Sequence, residues 1–484
     1  MKILFVGSEC VPFAKTGGLA DVLGALPKVL AQRGHKVVVA LPRYRKVQPG
    51  KPVLPSVTVT LGREVHFPAI QDGRTLDAVR YLFVDYPPFF DRDELYTVRG
   101  RDYPDNAERF ALFAKAVIEL AKRLFTPDLF HCHDWQSALV PVLLRTQYAA
   151  DPIVGSLPVV QTIHNLGYQG VFPPAVFDRV GLPWSLFHME ALEFYARANY
   201  LKGGIVFSDY LTTVSRKYAQ EIQTPDYGHG LDGILRKRSD RVVGILNGVD
   251  YAAWSPEIDK FLVANYSATN LAGKQDCKKD LLAQFKLPTN DLKKPLIGIV
   301  SRFAAQKGFD LIQEVADALL QNDLYLVALG TGEPLYEQLF RQLAQRFPHK
   351  VGARIAYDNT LAHKIEAGSD MFLMPSRYEP CGLNQIYSLK YGTVPVVRAT
   401  GGLDDTIEQF EARTGRGTGF KFTPYSGHAL LVCLRQALYL YSTDPNAWQT
   451  LIRNGMGKDF SWSASAAEYE KLFQTVVRQQ KVAS

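Results

Sequence analysis

Short runs of apolar, largely β-branched residues recur along the chain, with helical patterns between them. In the first half these runs lie at positions 2–7, 36–41, 81–84, 128–132, 158–163, 210–214 and 242–246. Strands that alternate with helices in this way are typical of a parallel sheet covered by helices on both faces. The pattern therefore predicts a doubly wound α/β domain.

A second set of apolar runs follows a change of texture. Positions 247–294 are rich in turn and polar residues, and new runs then lie at 295–300, 324–329, 371–374 and 394–397. A chain of 484 residues also exceeds the ~250–300 residues at which single cores stop growing. We predict an α/β fold with two Rossmann-like domains, 1–250 and 251–460, that face each other across a cleft. Residues 461–484 form a separate C-terminal helix.

Open α/β sheets bind ligands beyond the carboxyl ends of their strands, and the candidate motifs all follow predicted strands. The first is Lys15-Thr16-Gly17-Gly18, between the first strand and a helix. Glycines let backbone N–H groups approach a ligand, and a helix start and a lysine add positive charge. The turn predicts an anion site, with a plain connection and a solvated lysine as the alternative. A similar Thr-Gly-Gly-Leu pattern at 400–403 indicates the same device in the second domain.

Two further motifs in the second domain also suit a sugar nucleotide. Arg302 and Lys307 lie five residues apart in one loop, where a bidentate guanidinium and an ammonium match a diphosphate. Glu379 lies where a strand gives way to a helix, and Cys381 and Gly382 would present amides at the helix start. A carboxylate and a row of amides can hold a sugar hydroxyl and a phosphate. The alternatives are a solvated basic loop and a first-turn carboxylate that stabilises the helix dipole.

The histidines allow more than one interpretation. His164 ends a predicted strand and can bind a ligand hydroxyl, carry a proton, or serve only as a structural residue. His131 and His133 share one face of a strand and suggest a metal. Tightly bound zinc needs three or four protein ligands, and the sequence has neither CxxC nor HExxH, so no metal site is predicted.

Other candidate residues carry weaker signals. Asp91 and Asp93 form an Asp-x-Asp in a proline-flanked loop, which we interpret as a solvated turn. Gly332 belongs to a Gly-x-Gly turn that permits close approach of a ligand. Tyr96 and Trp135 can stack on sugar rings, although packing in the core is the commoner fate of aromatic residues.

Charge and cysteine content exclude several classes of protein. The net charge of +7 is not concentrated in a basic block, so nucleic-acid binding is not predicted, and the surplus suits a small anionic ligand. No apolar run reaches the ~20 residues of a membrane span. The five cysteines are odd in number and widely separated, which favours a reducing compartment. Because the first strand begins at residue 2, no leader is expected, and we predict a cytoplasmic protein.

Together the motifs resemble the bacterial glycogen synthase and plant starch synthase family, in the family's order and over nearly the whole chain. The segments that carry the resemblance are 15–19, 133–135, 164–165, 302–307, 379–383 and 400–403. Members of this family are retaining glycosyltransferases of the GT-B architecture. They add glucose from ADP-glucose to the non-reducing end of an α-1,4-glucan, and the resemblance implies this activity here.

The resemblance also implies a role for each matching residue. The donor's phosphates and diphosphate would meet Lys15, Gly17, Gly18, Arg302, Lys307, Leu383 and Asn384, and the glucose would meet Glu379, His164, Cys381 and Gly382. Tyr357 would stack on adenine. The remaining contacts with the nucleotide sugar would come from Asn165, Gly332, Thr400 and Gly401. The acceptor side would be formed by Asp134, Tyr96 and Trp135. Asn384 departs from the hydroxyl residue common at its position. The helix at 461–484 would pack back on the first domain.

The resemblance implies no metal or other cofactor, because basic side chains and helix starts take the place of Mg²⁺. It implies ADP-glucose and an α-1,4-glucan as partners, with association with glucan granules. Three alternatives remain at this stage: a transferase that uses UDP-glucose or a small acceptor, a dinucleotide oxidoreductase and a non-catalytic glucan-binding scaffold. An oxidoreductase would need the Gly-x-Gly-x-x-Gly that the first turn lacks. Retention through a covalent intermediate and retention through front-face attack are both open.

Overall fold

A computed structural model describes residues 1–483 and divides the chain into two compact units. Unit 1 contains residues 1–214, 219–248 and the chain from Trp462 onward, and unit 2 contains residues 215–218 and 249–461. All five cysteines are free and buried. Among the described helices, none combines the length and apolar character needed to cross a membrane.

The strands are numbered in chain order. They are β1 Lys2–Val6, β2 Lys36–Pro42, β3 Lys51–Leu54, β4 Val59–Leu61, β5 Glu64–His66, β6 Ala69–Leu76, β7 Val79–Asp85, β8 Thr97–Val98, β9 Arg101–Asp102, β10 Leu129–His133, β11 Val159–Ile163, β12 Val171–Phe172, β13 Glu193–Phe194, β14 Arg197–Asn199, β15 Tyr210–Thr213, β16 Val242–Gly244, β17 Leu296–Val300, β18 Tyr325–Gly330, β19 Val351–Ile355, β20 Met371–Met374, β21 Val394–Arg398 and β22 Phe420–Phe422.

The helices are numbered in the same way. They are α1 Gly18–Gln32, α2 Pro87–Phe90, α3 Asn106–Arg123, α4 Asp134–Ser137, α5 Leu139–Arg145, α6 Val176–Val180, α7 Tyr200–Phe207, α8 Arg216–Glu221, α9 Asp232–Lys237, α10 Ala272–Gln284, α11 Phe309–Leu320, α12 Pro334–Arg346, α13 Asn359–Gly368, α14 Asn384–Lys390, α15 Gly401–Thr406, α16 Gly427–Thr443, α17 Pro445–Met456 and α18 Trp462–Ala483.

Unit 1 is built on a nine-stranded sheet in the order β16-β15-β11-β10-β1-β2-β7-β6-β3. The seven strands from β16 to β7 are parallel, and β6 and β3 extend the sheet as antiparallel strands. β1 lies between β10 and β2 and is buried along Ile3–Val6, as expected for a strand covered on both faces. The antiparallel edge was not predicted, because β3 and β6 mix charged and apolar residues and lack a continuous apolar run.

Unit 2 is built on a six-stranded parallel sheet in the order β19-β18-β17-β20-β21-β22. Its central strands consist of apolar residues that are almost completely buried, as in β18 and β21. The order reverses between β17 and β20, which makes this point a topological switch of the kind where doubly wound sheets bind ligands. Arg302 and Glu379 lie in the loops that follow these two strands.

The predicted α/β class with two Rossmann-like sheets is confirmed. Every apolar run identified in the sequence coincides with a strand of the structure, and the two sets form two separate sheets. The last helix, α18, belongs to unit 1. Its Glu470 carboxylate accepts hydrogen bonds from Arg33 at 2.7 Å and pairs with His35 at 2.9 Å.

Candidate functional site

The turn between β1 and α1 has the predicted glycines at the helix start, but a carboxylate of the same chain already occupies its amides. Glu9 is 4% exposed, and its Oε2 accepts from the backbone N–H groups of Thr16 and of Gly17, the latter at 3.1 Å. Its Oε1 accepts from the Thr16 hydroxyl at 2.6 Å. The Gly17 amide expected to meet a phosphate is therefore engaged by Glu9 in this structure.

Lys15 lies on the exposed side of the same turn. Its Nζ donates to both carboxylate oxygens of Asp21, at 2.6 and 2.9 Å, in the first turn of α1. Gly18 begins α1, and the space around its Cα is open, since no atom lies within 4 Å of the position that a Cβ would take. Lys15 and the Gly18 amide thus remain on the surface where the sequence predicts phosphate contacts.

Tyr96 joins the Glu9 network. Its hydroxyl donates to Glu9 Oε1 at 2.7 Å and lies 2.7 Å from the Ser8 hydroxyl. Burial raises the pKa of Tyr96 well above its ordinary value. The ring also borders a cavity of about 340 Å³ that is lined on its other sides by Lys15, Tyr44 and Arg92, among others. Tyr96, which was predicted on the acceptor side, therefore borders an open cavity and also supports the Lys15 turn through its hydrogen bond to Glu9.

Trp135 differs from its prediction. The ring is 8% exposed and packs edge-on against Phe110 at 4.9 Å and Phe172 at 5.7 Å. Gly170 faces it so closely that an added Cβ would lie 2.4 Å from the ring. Trp135 is a core residue here, because an apolar ring of this size gains most by packing among other rings, and it offers little surface to an acceptor.

Asp134 directly follows β10 as the first residue of α4 and has a strained backbone conformation. Its φ of +52° falls in the left-handed region, which non-glycine residues rarely adopt. The carboxylate Oδ1 accepts from the backbone N–H of His164 at 2.7 Å, so the ends of β10 and β11 are tied together. Burial raises the pKa of Asp134 to about 7, although hydrogen bonds from the His164 and Asn165 backbone oppose this shift. Such strain at the end of a strand is typical of a functional site.

His164 lies at the end of β11, and its ring contacts His133 from β10. The His164 Nε2 and His133 Nδ1 atoms are 2.9 Å apart, with the rings stacked at 27°. Burial lowers the pKa of His164 to about 3, so the ring is neutral at physiological pH. Asn165 follows, and its side-chain oxygen accepts from the Gly167 N–H at 2.9 Å, which shapes the loop.

His131 and His133 lie on one face of β10 with their rings in contact. Both are fully buried, and their ring centroids are 4.2 Å apart. Among the described residues, no group of three or more His, Cys, Asp or Glu side chains has the arrangement of a metal site. The His131 Nε2 instead pairs with the Thr162 hydroxyl at 2.7 Å.

In unit 2 the loop after β17 holds both predicted cations. Arg302 is exposed, with its guanidinium 3.4 Å from the Gln306 side-chain oxygen. Lys307 ends a short 3₁₀ turn, and Gly308 then adopts a φ of +75°, where a Cβ would lie 1.9 Å from the Pro375 carbonyl oxygen. This close approach brings Lys307 to the neighbouring loop.

Lys307 and Glu379 form a partly buried ion pair. The Lys307 Nζ lies 2.6 Å from Glu379 Oε2, with the two side chains 20% and 7% exposed. The Ser376 hydroxyl donates to the same oxygen at 3.1 Å. Glu379 follows β20, so the pair lies at the carboxyl ends of β17 and β20, the switch point of the sheet. A cation and a carboxylate are thus held together where the sheet topology favours a ligand.

The turn after Glu379 is fixed by α14. Gly382 has a φ of +68°, and the Gln385 amide donates to the carbonyl oxygens of Cys381 and Gly382, both at 3.0 Å. Leu383 precedes the helix, and Asn384 begins it. The Asn384 side chain donates to the Val300 carbonyl oxygen at 2.8 Å, which ties the helix start to β17. An asparagine suits this position because its amide supplies that donor.

The second Thr-Gly-Gly turn does not repeat the device of the first. The Gly402 N–H donates to the Glu379 carbonyl oxygen at 3.1 Å, and a Cβ on Gly401 would lie 1.9 Å from that same oxygen. A Cβ on Gly402 would lie 1.9 Å from the Cys381 carbonyl oxygen. Thr400 is fully buried beside them. The glycines here allow two backbone turns to touch, so the expectation of a second anion turn of the same kind was wrong.

The two remaining predicted residues of unit 2 lie in different surroundings. Tyr357 is 85% exposed after β19, so its ring is available for stacking. Gly332 pairs with Phe303 in an isolated bridge, and a Cβ there would lie 2.0 Å from the Phe303 carbonyl oxygen. Gly332 is therefore required for backbone packing. In unit 1, the Asp91 and Asp93 carboxylates both pair with Arg45 at the surface, as a solvated turn would.

Glu9 and His133 are the two site residues that the sequence did not single out by their roles. For Glu9 the available signal was an acidic residue shortly after the first apolar run and seven positions before a Thr-Gly pair. For His133 the signal was its position at the end of an apolar run, directly before an acidic residue. The His133 contact with His164 and the Glu9 contact with Tyr96 join residues 31 and 87 positions apart, which no local pattern displays.

Comparison with known proteins identifies the family. The starch synthase catalytic domain family matches residues 2–237, and the glycosyl transferases group 1 family matches residues 283–448. The chain is 58% identical to the glycogen synthase of Koribacter versatilis over 98% of each chain. It is 46% identical to glycogen synthase 1 of Geobacter metallireducens, over 99% of this chain and 96% of that one.

A solved structure agrees with these matches. The catalytic domain of starch synthase IV from Arabidopsis thaliana, bound to ADP and acarbose, superimposes with a TM-score of 0.89 at 33% identity over 99% of each chain. A sucrose-phosphate synthase from Thermosynechococcus elongatus, at 20% identity and a TM-score of 0.61, shares the fold. The resemblance drawn from the motifs is confirmed: this chain belongs to the glycogen and starch synthase family of GT-B glycosyltransferases.

Proposed function

We propose that this protein transfers glucose from ADP-glucose to the non-reducing end of an α-1,4-glucan with retention of configuration. The observation that carries the proposal is the ion pair of Lys307 and Glu379, whose Nζ and Oε2 atoms are 2.6 Å apart at the switch point of the unit 2 sheet. Glycosyl transfer leaves positive charge on the sugar ring and negative charge on the departing diphosphate. A carboxylate and an ammonium fixed side by side complement both charges.

The departing diphosphate is the part of the donor that most needs cations. Lys307 is held by Glu379, and Arg302 is exposed in the same loop, where its fork can bind two phosphate oxygens. We infer that these two side chains stabilise the leaving group and that no divalent metal is required. Magnesium would otherwise supply the same charge.

Retention requires either a covalent glucosyl intermediate or attack from the face that the diphosphate leaves. Glu379 is the carboxylate placed to act as a nucleophile, but one of its oxygens already accepts from Lys307 and Ser376. An oxygen that accepts two hydrogen bonds, one of them from a cation, is a poorer nucleophile. We infer front-face attack, with Glu379 stabilising charge on the sugar.

The route is tested with Glu379→Ala and sodium azide. Under a double displacement the small anion would replace the missing carboxylate and give a glucosyl azide of inverted configuration. We expect no such product. Its accumulation would assign Glu379 as the nucleophile.

Unit 1 supplies polar groups for sugar hydroxyls at the ends of β10 and β11. The His164 ring is neutral, and the Asp134 carboxylate is fixed by the His164 backbone at 2.7 Å. A neutral imidazole can hold a hydroxyl group without adding charge, and a carboxylate oxygen can accept a hydrogen bond from another. We propose that His164 contacts the transferred glucose and that Asp134 borders the acceptor.

The decisive experiment is transfer of labelled glucose from ADP-glucose and from UDP-glucose to maltooligosaccharides, each with and without EDTA. We expect elongation with ADP-glucose, α-linked products by NMR, and no effect of EDTA. Preference for UDP-glucose would contradict ADP-glucose as the donor. Loss of activity with EDTA would show that a metal ion is required. Binding of glucan without transfer would favour a non-catalytic scaffold.

Association with glucan granules and a cytoplasmic location extend the proposal. The cytosol keeps thiols reduced, and all five cysteines are free and buried, which supports a cytoplasmic location. Sedimentation with glycogen particles tests the association, with maltose as competitor. Fractionation of cells that express the native chain tests the location.

A further inference from the structure

The fully buried ring of His133 and the half-buried ring of His164 share a single hydrogen bond at the ends of neighbouring strands. β10 and β11 are parallel, with His133 opposite Thr162, so the chain after β11 brings His164 next to His133. The His133 Nδ1 and His164 Nε2 atoms are 2.9 Å apart. One of these nitrogens must donate and the other accept, because a neutral imidazole has one of each.

The surroundings of His133 assign the donor. Its ring is fully buried and stacks on Phe5 at 5.8 Å with an angle of 17°. Its other nitrogen, Nε2, is buried and has no hydrogen-bond partner among the described residues. If His133 carried its proton on Nε2, a buried N–H would be left without an acceptor, which proteins rarely tolerate. The proton therefore belongs on Nδ1, and His133 is the donor.

This assignment fixes the second ring. His164 accepts at Nε2, so its own proton must lie on Nδ1, on the opposite side of the imidazole. Burial lowers the pKa of both rings, so each ring is neutral and carries a single proton. The position of that proton is therefore defined for each ring. The His164 side chain then has a defined donor end and a defined acceptor end.

We propose that His133 is a positioning residue for the transfer reaction: it donates Nδ1–H to His164 and so fixes the tautomer in which His164 offers Nδ1–H to a hydroxyl of the transferred glucose. This inference rests on the proposed function for the identity of the hydroxyl, but the tautomer stands independently. His133 itself need not touch the substrate.

His131 supplies a matched control for the proposal. It lies on the same strand and the same face, is also fully buried, and pairs through Nε2 with the Thr162 hydroxyl at 2.7 Å, which in turn lies 2.6 Å from the Thr212 hydroxyl. His133, and not His131, is the histidine of β10 whose ring bonds to His164. His131→Leu therefore removes a buried histidine of the same strand without removing the donor to His164.

The tautomer is read by ¹⁵N NMR of the full-length protein with labelled histidine, using His164→Gln to assign the signals. In the parent protein we expect His164 to carry its proton on Nδ1. His133→Leu should release this preference, His133→Asn should keep it because its side-chain amide donates from a similar position, and His131→Leu should leave it unchanged. A His164 proton on Nε2 in the parent protein would overturn the inference.

Kinetics then connect the tautomer with transfer. Supporting partners of this kind typically contribute ~10–100-fold, so His133→Leu should lower kcat by about that factor, while His133→Asn and His131→Leu stay within about threefold. Thermal unfolding of each variant controls for stability. If His133→Leu and His131→Leu lose the same stability and the same activity, the role of His133 is structural only.

A donor analogue separates this inference from the proposed function. ADP-6-deoxyglucose lacks the primary hydroxyl. If that hydroxyl accepts the His164 hydrogen bond, the parent protein and His133→Leu should have the same kcat with this donor. A difference in kcat that persists would show that His164 does not act on the primary hydroxyl. Failure of the parent protein to use ADP-glucose would refute the proposed function and leave the NMR result intact.

Discussion

At the scale of single residues, the first turn of unit 1 is organised by an internal anion. Glu9 accepts four hydrogen bonds, from the Thr16 and Gly17 backbone N–H groups, the Thr16 hydroxyl and the Tyr96 hydroxyl. These are the donors that a phosphate would otherwise seek at a glycine-rich turn. The carboxylate shapes the turn and leaves Lys15 and Gly18 as the groups that face outward.

We expect Glu9→Gln to destabilise this turn. Glutamine replaces one acceptor oxygen with an NH₂ group that would face donors, and hydrogen bonds to a charged group contribute ~1.5–3 kcal/mol each. Urea unfolding should show a loss of that order, with a raised KM for ADP-glucose. Asp21→Asn is the control, because the Lys15–Asp21 pair is exposed and such pairs contribute ~0–1 kcal/mol. Equal stability of the two variants would contradict this account of Glu9.

The cations of unit 2 should matter for rate. We expect Arg302→Ala and Lys307→Ala each to lower kcat by ~10²–10³, the usual effect of removing a preorganised group that stabilises developing charge. Steady-state kinetics with ADP-glucose and maltooligosaccharides measure this, and circular dichroism checks the fold. Lys293→Ala, at an exposed site outside the loop, should be neutral. Rates within tenfold of the parent would refute the leaving-group role.

At the scale of elements, two similar turns perform different tasks. The turn at Gly17–Gly18 is open, with no atom within 4 Å of an added Cβ at either glycine. The turn at Gly401–Gly402 touches the backbone of Glu379 and Cys381, where an added Cβ would lie 1.9 Å from a carbonyl oxygen in each case. The first pair lies at an open surface, where Glu9 accepts from the Gly17 amide, and the second pair holds the Glu379 turn in place.

A matched pair of substitutions tests this difference. Gly402→Ala forces a Cβ against the Cys381 carbonyl oxygen, and overpacking of this kind costs ~1–3 kcal/mol. We expect a lower melting temperature for Gly402→Ala and a further loss of kcat as Glu379 shifts. Gly18→Ala, in open space, should melt within about 2 °C of the parent, since surface changes are usually within ~0.5 kcal/mol. Equal melting temperatures for both variants would contradict the role of Gly402 in packing against the turn that holds Glu379.

The histidines of β10 and β11 should make stability depend on pH. Burial lowers the pKa of His131, His133 and His164, so the folded protein keeps rings neutral that the unfolded chain protonates below its ordinary histidine pKa of 6.5. Their contribution is present above pH 6.5 and is lost as the pH falls toward the folded pKa, which is about 3 for His164. Each group contributes a slope of up to about 1.4 kcal/mol per pH unit.

Asp134 acts in the opposite direction. Its pKa is raised to about 7, so the folded protein retains a proton that the unfolded chain has lost above 3.8, and this contribution falls as the pH rises toward 7. Glu366 and Asp405, whose pKa values burial also raises, act in the same direction as Asp134, and His229, whose pKa burial lowers, acts with the other three histidines. Four histidines therefore oppose three carboxyl groups, and we expect the melting temperature to fall between pH 6.5 and 4.5. His131→Asn should reduce that fall, whereas the exposed His428→Gln should not. An unchanged slope in His131→Asn would contradict the prediction.

At the scale of the whole molecule, each unit is completed by chain distant in sequence. α18 packs against unit 1, where Tyr469 and Phe473 contact the His131 ring at 5.5 and 5.3 Å, and Glu470 binds Arg33 and His35. These two aromatic rings are fully buried. Burial of one such side chain contributes ~1.5–3 kcal/mol, so the last helix is a substantial part of the core of unit 1.

Truncation before Trp462 should therefore weaken unit 1 and spare unit 2. Hydrogen exchange followed by mass spectrometry should show faster exchange in α1 and β10, with α11 and β18 unchanged. A shorter truncation that keeps residues 462–477 retains the buried rings and serves as the control. Faster exchange in both units alike would show that the helix does not act on unit 1 specifically.

Much of this protein could be predicted because the determining patterns are local. Continuous apolar runs predicted the seven parallel strands of the unit 1 sheet and the four central strands of the unit 2 sheet, but not the edge strands β19 and β22. The motifs at Lys15, Arg302, Glu379 and His164 lie after strands as expected. The antiparallel edge strands were missed, since half-exposed strands with charged residues lack that signal. Trp135 and Gly332 were expected at a ligand, but both are packed against other residues. A sequence does not distinguish a ring that stacks on a ligand from one packed in the core. It also does not distinguish a glycine that faces a ligand from one that allows close packing.

The sequence by itself determined the class of fold, the family and the set of residues with the right chemistry, because hydrophobic periodicity and residue order are properties of the chain alone. Only the tertiary structure decided which partner each of those residues has. It placed Glu9 in the first glycine turn, Lys307 on Glu379, the second glycine turn behind Glu379, and His133 against His164. These pairings join residues between 8 and 72 positions apart, and hydrogen bonds and close packing act over a few ångströms of space regardless of that separation.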